Sequence, residues 1–503
     1  MVAPLAPGQP SSSSFRTVLK ALAIVVSVIL VATTLFSRIH FLPKPLLNVM
    51  GEEQNVVYGL IKWMQGTPLY TDPEALPMDI IQYSPAYYYL VGTIGHVFGV
   101  NAQEPMEVYL LSRIMGLLFN LLFACSGFLI ARKLGAQWWS ALLWAAVLFS
   151  FLPRQVHSRP DALNLLFFSL CMLTFFHALA VEGSRSRKLL ALATVLGCLA
   201  ALTKQSGVLG LGVIGAYLLF TQQWRLLAQH VLVAALVLGT AVGVLCWHYG
   251  ANEVHLNLVV AIKNGIDLHT IHRLVRMRFW SMMILQAIGV FVAWRWWRGT
   301  EPMQRGWAVA YVLSLAFGYF TSLKYGSSPG YYMEGFVLAG AGMAALLSAD
   351  LGPSRWPHVA LMALAVSFLY PLLFLWGLPE LLGAGPADDE REAYQSARAM
   401  AQEFRTDPAL EEGYVLLTRH DHLENFIVGR SVVTQKDIYV LSTSKANFDL
   451  SGLQRGLNEG AIRFVVMRTP GEPLLLVGDA HPPLRPIGVR HGYHIYENSA
   501  WRP

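Results

Sequence analysis

Charged side chains recur where apolar stretches end, in four loops that are far apart in the sequence. A carboxylate can remove a proton from an attacking hydroxyl group, and ammonium or guanidinium groups can stabilise the charge of a phosphate. The residues that carry these groups are Glu52, Glu53, Arg159, Asp161, Lys204 and Lys324. If the fold brings the four loops to one side of a membrane, carboxylates and cations share one site at its surface.

This combination suits the transfer of a sugar from a polyprenyl-phosphate carrier. Such a donor presents an anionic leaving group at the level of the lipid headgroups and a hydrocarbon tail within the lipid. The acceptor hydroxyl needs a carboxylate base close to it, whereas the departing phosphate needs cations and no added proton. A single base favours direct displacement, which inverts the configuration at the anomeric carbon.

The composition indicates a membrane protein. Of the 503 residues, 54% are hydrophobic and 14% are charged, and the mean hydropathy is +0.45, whereas a soluble domain carries about 25% charged residues. The basic residues punctuate apolar segments and form no single patch, so the net charge of +6 indicates membrane orientation and not a nucleic-acid partner. The four cysteines lie in apolar runs, which predicts buried thiols without a disulfide framework.

Apolar runs predict about eleven transmembrane helices, because each crossing needs roughly 20 mostly apolar residues. The runs cover residues 20–37, 108–131, 137–153, 161–181, 188–203, 206–221, 231–248, 279–297, 306–322, 333–349 and 357–377. Lys and Arg are enriched in every second loop, starting with Arg16 and Lys20 before the first run, which predicts a cytoplasmic N-terminus. Residues 1–19 are interpreted as a disordered cytoplasmic tail, and residues 20–380 as the transmembrane domain.

Two parts of the chain are predicted not to cross the membrane. Residues 38–107 form a long first exterior loop with helical stretches around 52–66 and 84–99, since counting the second stretch as a span would reverse the sidedness of every later basic loop. Beyond about residue 380 the composition turns polar, and residues 381–503 are interpreted as a small exterior α/β domain. Its strands are predicted at 414–418, 431–435, 463–467 and 492–496.

The order of these motifs resembles the integral-membrane GT-C glycosyltransferases, in the bacterial branch related to protein mannosyltransferases and aminoarabinose transferases. The first exterior loop carries GEEQNVVYGLIKWMQGTPLYTDP and then YSPAYYYLVGTIGHVFG. The later motifs follow in the family's order: LLSRIMGLLFNLLF, RPDAL, LTKQSGVL and YGSSPGYYMEG. The match covers roughly residues 20–350. It implies an all-α polytopic bundle whose first exterior loop is helical and juxtamembrane, and the polar C-terminal region resembles the exterior domain that many such enzymes append.

The resemblance also implies roles for individual residues. The catalytic base of the family lies in the acidic pair, here Glu52 or Glu53, and Glu53 is preferred because it lies in the helical register. Asp161 is expected to assist near the acceptor or a metal. Arg113 either pairs with the acidic residues or contacts the donor. The residues expected to face the donor phosphate are Lys204, Arg159, Lys324 and Tyr325.

Each of these residues also has a structural explanation. Carboxylates are favoured at helix N-termini, so Glu53 and Asp161 could simply begin helices. Lys204 could extend to the lipid headgroups without binding a substrate. These explanations stay open beside the catalytic ones.

Metal binding is also left open by the sequence. Asp267, His269 and His272 can lie on one helical face, as metal ligands do, and RHDHLEN (419–425) has a similar pattern. A surface loop is the more frequent reason for both patterns. A divalent cation, Mg²⁺ or Mn²⁺, is compatible with two nearby carboxylates but is not required by them.

Two other functions fit part of the pattern. A multi-pass transporter or flippase of a lipid-linked or anionic substrate also places charges in a bundle, but it should place them near the bilayer midplane, with paired halves or broken helices. A membrane scaffold leaves the charged loops unexplained. The sequence therefore favours a glycosyltransferase of the bacterial inner membrane, with an exterior active site. Its expected partners are a polyprenyl-phosphate-linked sugar, membrane lipids and an envelope glycan, lipid or protein acceptor.

Overall fold

The computed structural model describes residues 12–45, 53–151, 159–263, 265–269, 280–324, 329–348, 386–434, 436, 439, 448–474, 476 and 481–502. Within these residues the chain is mostly helical and ends in a small mixed sheet. The helices that precede the sheet are α1 (Ser12–Phe41), α2 (Glu53–Met64), α3 (Ala86–Val97), α4 (Pro105–Lys133), α5 (Trp138–Phe151), α6 (Asp161–Leu179), α7 (Gly183–Thr203), α8 (Leu209–Phe220), α9 (Trp224–Tyr249), α10 (Ala251–His255), α11 (Trp280–Arg298), α12 (Pro302–Ser322), α13 (Met333–Ser348) and α14 (Pro386–Thr406).

Helix boundaries follow ordinary sequence signals. Proline occupies the first turn of α4 and α12, where its missing N–H costs nothing. Pro160 immediately precedes α6, and Asp161 places a carboxylate in its first turn. At the other end of α4, Arg132 and Lys133 complement the partial negative charge of the helix C-terminus.

Six of the described helical segments are long and apolar enough to cross a membrane, and the chain is a multi-pass membrane protein. They are Lys20–His40, Pro105–Lys133, Asp161–Leu179, Gly183–Thr203, Trp224–Tyr249 and Gly330–Ser348. Two shorter apolar segments, Trp138–Ser150 and Gln205–Phe220, coincide with predicted spans. The runs at 279–297 and 306–322 form α11 and α12 but are not among the six, and 357–377 lies outside the described residues. The count of eleven therefore stays a prediction.

The segment between α1 and α4 contains the two helices that the sequence predicts, α2 and α3. Each has 12 residues, which corresponds to about 18 Å of helix, whereas the hydrocarbon core of a bilayer is about 30 Å thick. Neither helix is long enough to cross. Tyr87 and Tyr88 on α3 are buried, while Val97 and Phe98 at its C-terminal end are exposed.

The C-terminal sheet has five strands in the order β2-β1-β3-β5-β4. Strands β1 and β2 and strands β1 and β3 pair in parallel, whereas β5 pairs antiparallel with both β3 and β4. The strands and the helices between them are β1 (Tyr414–Leu417), α15 (Leu423–Phe426), β2 (Ser431–Val432), α16 (Ser451–Asn458), β3 (Ile462–Met467), β4 (Leu484–Arg490) and β5 (Tyr493–Asn498). Sequence analysis missed β4 because its residues are largely exposed and include a proline and a glycine.

Successive side chains of a strand point to opposite faces of the sheet, and apolar side chains occupy both faces of this one. One face of β1 and β3, which includes Val415 and Phe464, packs against α14. The opposite face, which includes Leu416 and Val465, packs against α16. Residues from two interhelical segments complete the second core: Met78 and Ile80 from the segment between α2 and α3, and Ala261 from the segment after α10. The C-terminal domain therefore shares its core with the loops of the membrane domain.

Candidate functional site

Asp161, the first residue of α6, lies at the centre of a charged cluster. Its Oδ1 atom is 2.6 Å from Nζ of Lys204, and its Oδ2 atom is 3.3 Å from Nε of Arg159. The three side chains are between 12% and 17% exposed, so they are shielded from bulk water without being sealed off. The structure thus brings together three of the residues singled out from the sequence, and their charges sum to one net cation.

Tyrosine rings from two other connections line this cluster. Nη2 of Arg159 donates a hydrogen bond to the hydroxyl group of Tyr83 over 3.2 Å. Nζ of Lys204 lies 5.8 Å from the ring centre of Tyr83 and 5.2 Å from that of Tyr331, within the range of cation–π attraction. Burial lowers the pKa of Lys204, but the charge of Asp161 outweighs this effect and holds the pKa above 10.5. Lys204 is therefore a permanent cation at neutral pH.

A tight 3₁₀ turn, Gln205–Val208, positions Lys204. Nε2 of Gln205 donates to the backbone oxygen of Gln82 over 2.7 Å and to that of Leu258 over 3.2 Å. The turn also folds back on α7, since a Cβ atom on Gly207 would lie 2.2 Å from the carbonyl carbon of Ala200. Only glycine fits there. The LTKQSG motif therefore contacts three segments next to Lys204: those of Gln82 and Leu258, and α7.

Two further residues of this site were missed by sequence analysis. Asn164 lies one turn after Asp161 on the same helical face, and its Nδ2 atom donates to Oε1 of Glu334 over 3.4 Å. Glu334 lies in the first turn of α13 and is 4% exposed. The available signals were the three-residue spacing after Asp161 and the Glu within the YYMEG motif.

The connection between α12 and α13 also carries Lys324. Its backbone pairs antiparallel with Ile266, and the amide of Asp267 donates to the backbone oxygen of Leu323 over 2.7 Å. This connection is the one that brings Tyr331 onto Lys204. Tyr325 and Glu52, two other residues singled out from the sequence, lie outside the described residues.

Glu53 forms a second charged group with Arg113 of α4. Its Oε1 atom is 2.8 Å from Nε of Arg113, and its Oε2 atom is 3.0 Å from Nη2, which is a two-point pairing of the guanidinium fork. Nη1 of Arg113 also donates to the backbone oxygens of Leu42 and Lys44 over 3.1 and 2.5 Å. Arg113 is therefore a buried partner of Glu53, which agrees with one of its two interpretations from the sequence. Arg113 joins the end of α1 to the start of α2.

Tyr87 of α3 is buried beside α4. Burial raises its pKa, a hydrogen bond with Ser112 lowers it, and the carboxylates of both Glu53 and Asp161 raise it. The Tyr87 hydroxyl group lies 2.8 Å from Oγ of Ser112, the residue before Arg113. This hydrogen bond joins α3 to α4 next to Arg113.

No group of three or more His, Cys, Asp or Glu residues that could hold a metal ion is found in the described part of the chain. In the RHDHLEN motif, His422 contacts Glu390, His420 contacts Glu424, and Asp421 pairs with Arg468. His272 of the other motif lies outside the described residues. Of the described carboxylates of the candidate site, Glu53 and Asp161 face guanidinium or ammonium groups, whereas Glu334 accepts a hydrogen bond from Asn164.

The fold matches solved structures of membrane glycosyltransferases. ArnT from Cupriavidus metallidurans bound to undecaprenyl phosphate superposes with a TM-score of 0.54 at 15% sequence identity, over 98% of this chain and 100% of that one. Its apo form gives a TM-score of 0.51. The archaeal oligosaccharyltransferase AglB from Archaeoglobus fulgidus, in complex with an inhibitory peptide and a dolichol-phosphate, gives a TM-score of 0.54 at 13% identity, over 89% of this chain and 69% of that one.

This chain has the GT-C fold. No protein-family model and no curated protein sequence matches it, so the likeness lies in the fold and not in close sequence relationship. Within the GT-C fold of this chain, the first turns of α2, α6 and α13, the end of α7 and the third turn of α4 supply the candidate site. The cations of this site can bind an anionic group, and its carboxylates can accept a proton.

Proposed function

We propose that this protein is a glycosyltransferase that moves a sugar from a polyprenyl-phosphate donor to an acceptor hydroxyl group at the exterior membrane face, with inversion. The observation that carries the proposal is the cluster of Asp161, Lys204 and Arg159 at the helix ends of a GT-C fold. ArnT was solved with undecaprenyl phosphate and AglB with a dolichol-phosphate. A net cationic cluster at that level suits the phosphate of such a donor.

In this proposal Lys204 and Arg159 bind the donor phosphate and stabilise the negative charge that develops when it leaves. Asp161 holds both cations in place and compensates part of their charge before the donor binds. Tyr83 and Tyr331 cover the cations and exclude water, which strengthens their attraction for an anion. Lys324 contributes from the connection that also carries Tyr331.

The acidic pair supplies the base that removes the proton of the acceptor hydroxyl group. Both oxygens of Glu53 already accept hydrogen bonds from Arg113, so neither oxygen is placed to accept the proton of an incoming hydroxyl group. We therefore assign the base to Glu52 and a positioning role to Glu53, which reverses the preference drawn from the sequence. No step of this scheme runs through a metal ion.

The topology belongs to the same proposal. Residues 1–19 form a cytoplasmic tail, 20–380 the transmembrane domain and 381–503 an exterior domain, with about eleven spans in a bacterial inner membrane. The acceptor is an envelope glycan, lipid or protein hydroxyl group. A transporter is less well supported, because the described charges of the site lie at the start of α6 and just after the end of α7, and not at helix centres.

The test uses the purified full-length protein with polyprenyl-phosphate donors that carry labelled sugars. We expect sugar release or transfer by the wild type, and a loss of about 10²–10⁴-fold in kcat for Glu52→Gln, as for removal of a general base. Glu497→Gln, in the C-terminal sheet, serves as the control and should keep wild-type rates. Wild-type rates in Glu52→Gln would remove the base assignment. Tracer uptake into vesicles without any transfer would overturn the enzymatic function in favour of transport.

A further inference from the structure

The C-terminal domain contacts α2 immediately beside Glu53. Nε2 of Gln54 donates hydrogen bonds to the backbone oxygen of Asp421 over 2.9 Å and to Oε2 of Glu424 over 2.8 Å. Glu424 is 1% exposed, and its Oε1 atom lies 2.5 Å from Nζ of Lys436. All of these groups are buried, so an amide from the second residue of α2 is held by a charged pair of the C-terminal domain.

A second contact joins the same short helix, α15, to α4. Nδ2 of Asn425 donates to the hydroxyl oxygen of Tyr109 over 3.1 Å. The guanidinium carbon of Arg113 lies 5.1 Å from the ring centre of Tyr109, and Arg113 in turn holds Glu53. Consecutive residues of α15, Glu424 and Asn425, therefore reach Glu53 along two routes.

We infer that α15 is a positioning element for Glu53 and the start of α2: Glu424 through Gln54, and Asn425 through Tyr109 and Arg113, fix the N-terminal end of α2. The catalytic consequence rests on the function proposed above. Among the described contacts, neither Glu424 nor Asn425 touches Glu53, Asp161 or Lys204, so both are positioning residues that act through Gln54, Tyr109 and Arg113.

The polar groups in the contact of α15 with α2 and α4 favour a role in positioning over a role in holding the domain in place. Two packed apolar surfaces would hold the domain in place without the desolvation penalty of burying Glu424 and Lys436. Hydrogen bonds to a carboxylate and an amide are directional, and each fixes its partner atom to within a few tenths of an ångström. A base must lie within hydrogen-bond reach of the proton that it removes, so a small displacement of the start of α2 is enough to slow transfer.

The first experiment measures positioning without reference to catalysis. Hydrogen exchange of the full-length protein in detergent is compared between wild type, Glu424→Gln and a matched control, Glu472→Gln. Glu472 is also a buried carboxylate of this domain and pairs with Arg419, but the described contacts do not link it to α2. We expect the first turn of α2 to exchange at least about 10-fold faster in Glu424→Gln only. Equal exchange in all three proteins overturns the inference.

The second experiment measures the catalytic consequence. Tyr109→Phe, Asn425→Ala and the double variant are compared for kcat and for the donor KM, since Tyr109→Phe keeps the ring beneath Arg113. We expect each single variant to lower kcat by about 3–10-fold with KM unchanged, and the double variant to be no slower than the slower single one. Multiplicative effects, or a change in KM alone, contradict the inference. If the wild type transfers no sugar, the proposed function is wrong. The hydrogen exchange of the first turn of α2 still tests whether α15 positions that helix.

Discussion

Oδ1 of Asp161 and Nζ of Lys204 lie 2.6 Å apart, although the two residues are 43 positions apart in the chain. Asp161 begins α6 and Lys204 immediately follows α7, so two antiparallel neighbours place their charged ends at the same side of the bundle. The pair is only partly exposed. In such surroundings a cation with one carboxylate partner still attracts a further anion strongly.

Replacing Lys204 should weaken donor binding. Lys204→Met removes a cation that pairs with Asp161, and a hydrogen bond to a charged group contributes about 1.5–3 kcal/mol. We expect the KM for a polyprenyl-phosphate sugar to rise by about 10–100-fold, measured with purified protein in detergent. Lys204→Arg keeps the charge and should retain most of the affinity. An unchanged KM in Lys204→Met would show that this lysine does not bind the donor.

The pH dependence of donor binding follows from the pKa of Lys204. Pairing with Asp161 outweighs burial and raises the pKa above 10.5, so the cation is complete below the unfolded value and is lost only as the pH rises through the folded one. We expect the donor KM to stay flat between about pH 7.5 and 10. A steady rise centred between about pH 8 and 9 would mean that another group controls binding.

Breaking the Glu53–Arg113 pair should destabilise the protein more than removing both charges. Each single variant, Glu53→Gln or Arg113→Met, leaves a buried charge without its partner, which costs about 3–5 kcal/mol. We expect a clear fall in the melting temperature for each, and a smaller fall for the double variant. Thermal unfolding in detergent, followed by circular dichroism, measures this difference. Additive losses in the double variant would mean that the two side chains are energetically independent.

Adjacent isoleucines of the first exterior loop should affect different parts of the protein. Ile80 belongs to the core of the C-terminal domain and Ile81 to the core of the helix bundle. Ile80→Ala removes buried methyl groups and should destabilise the C-terminal domain by about 2–5 kcal/mol, whereas Ile81→Ala should leave that domain intact. Limited proteolysis of the full-length protein, with the fragments identified by mass, measures this contrast. Identical cleavage patterns in the two variants would contradict the assignment of Ile80 and Ile81 to different cores.

Gly207 should not tolerate even a methyl group. Its Cβ position lies 2.2 Å from a backbone atom of α7, so Gly207→Ala must displace the turn that carries Lys204. We expect a loss of donor affinity and a lower melting temperature. Gly212→Ala is the control, because nothing lies within 4 Å of its Cβ position and alanine favours helix. Equal behaviour of the two variants would contradict the close packing at Gly207.

The sequence predicted the elements better than the contacts between them. Apolar periodicity located α2 and α3, the α/β nature of the C-terminal domain and most of its strands. It could not show that Met78 and Ile80 lie in the core of that domain, because an apolar residue in a loop carries no sign of which core will bury it. The two missed residues of the site, Asn164 and Glu334, became visible only when α6 and α13 were packed together.

The pairing of Glu53 with Arg113 shows a second limit of sequence analysis. A carboxylate at a helix start looks the same whether it faces solvent, a substrate or a buried arginine, since the local pattern is identical in each case. Only the distances from the Glu53 carboxylate to Nε and Nη2 of Arg113 distinguish these three alternatives.

The hydroxyl group of Tyr439 donates to the backbone oxygen of Met78, and these residues are 361 positions apart in the chain. Ribosomes make proteins from the N-terminus, so the loop that holds Met78 leaves the ribosome long before its partners exist. During that interval its apolar side chains have no native cover. Biogenesis of this protein thus ends with a late docking event, and truncated translation products should be recognised as unfinished by quality-control proteases.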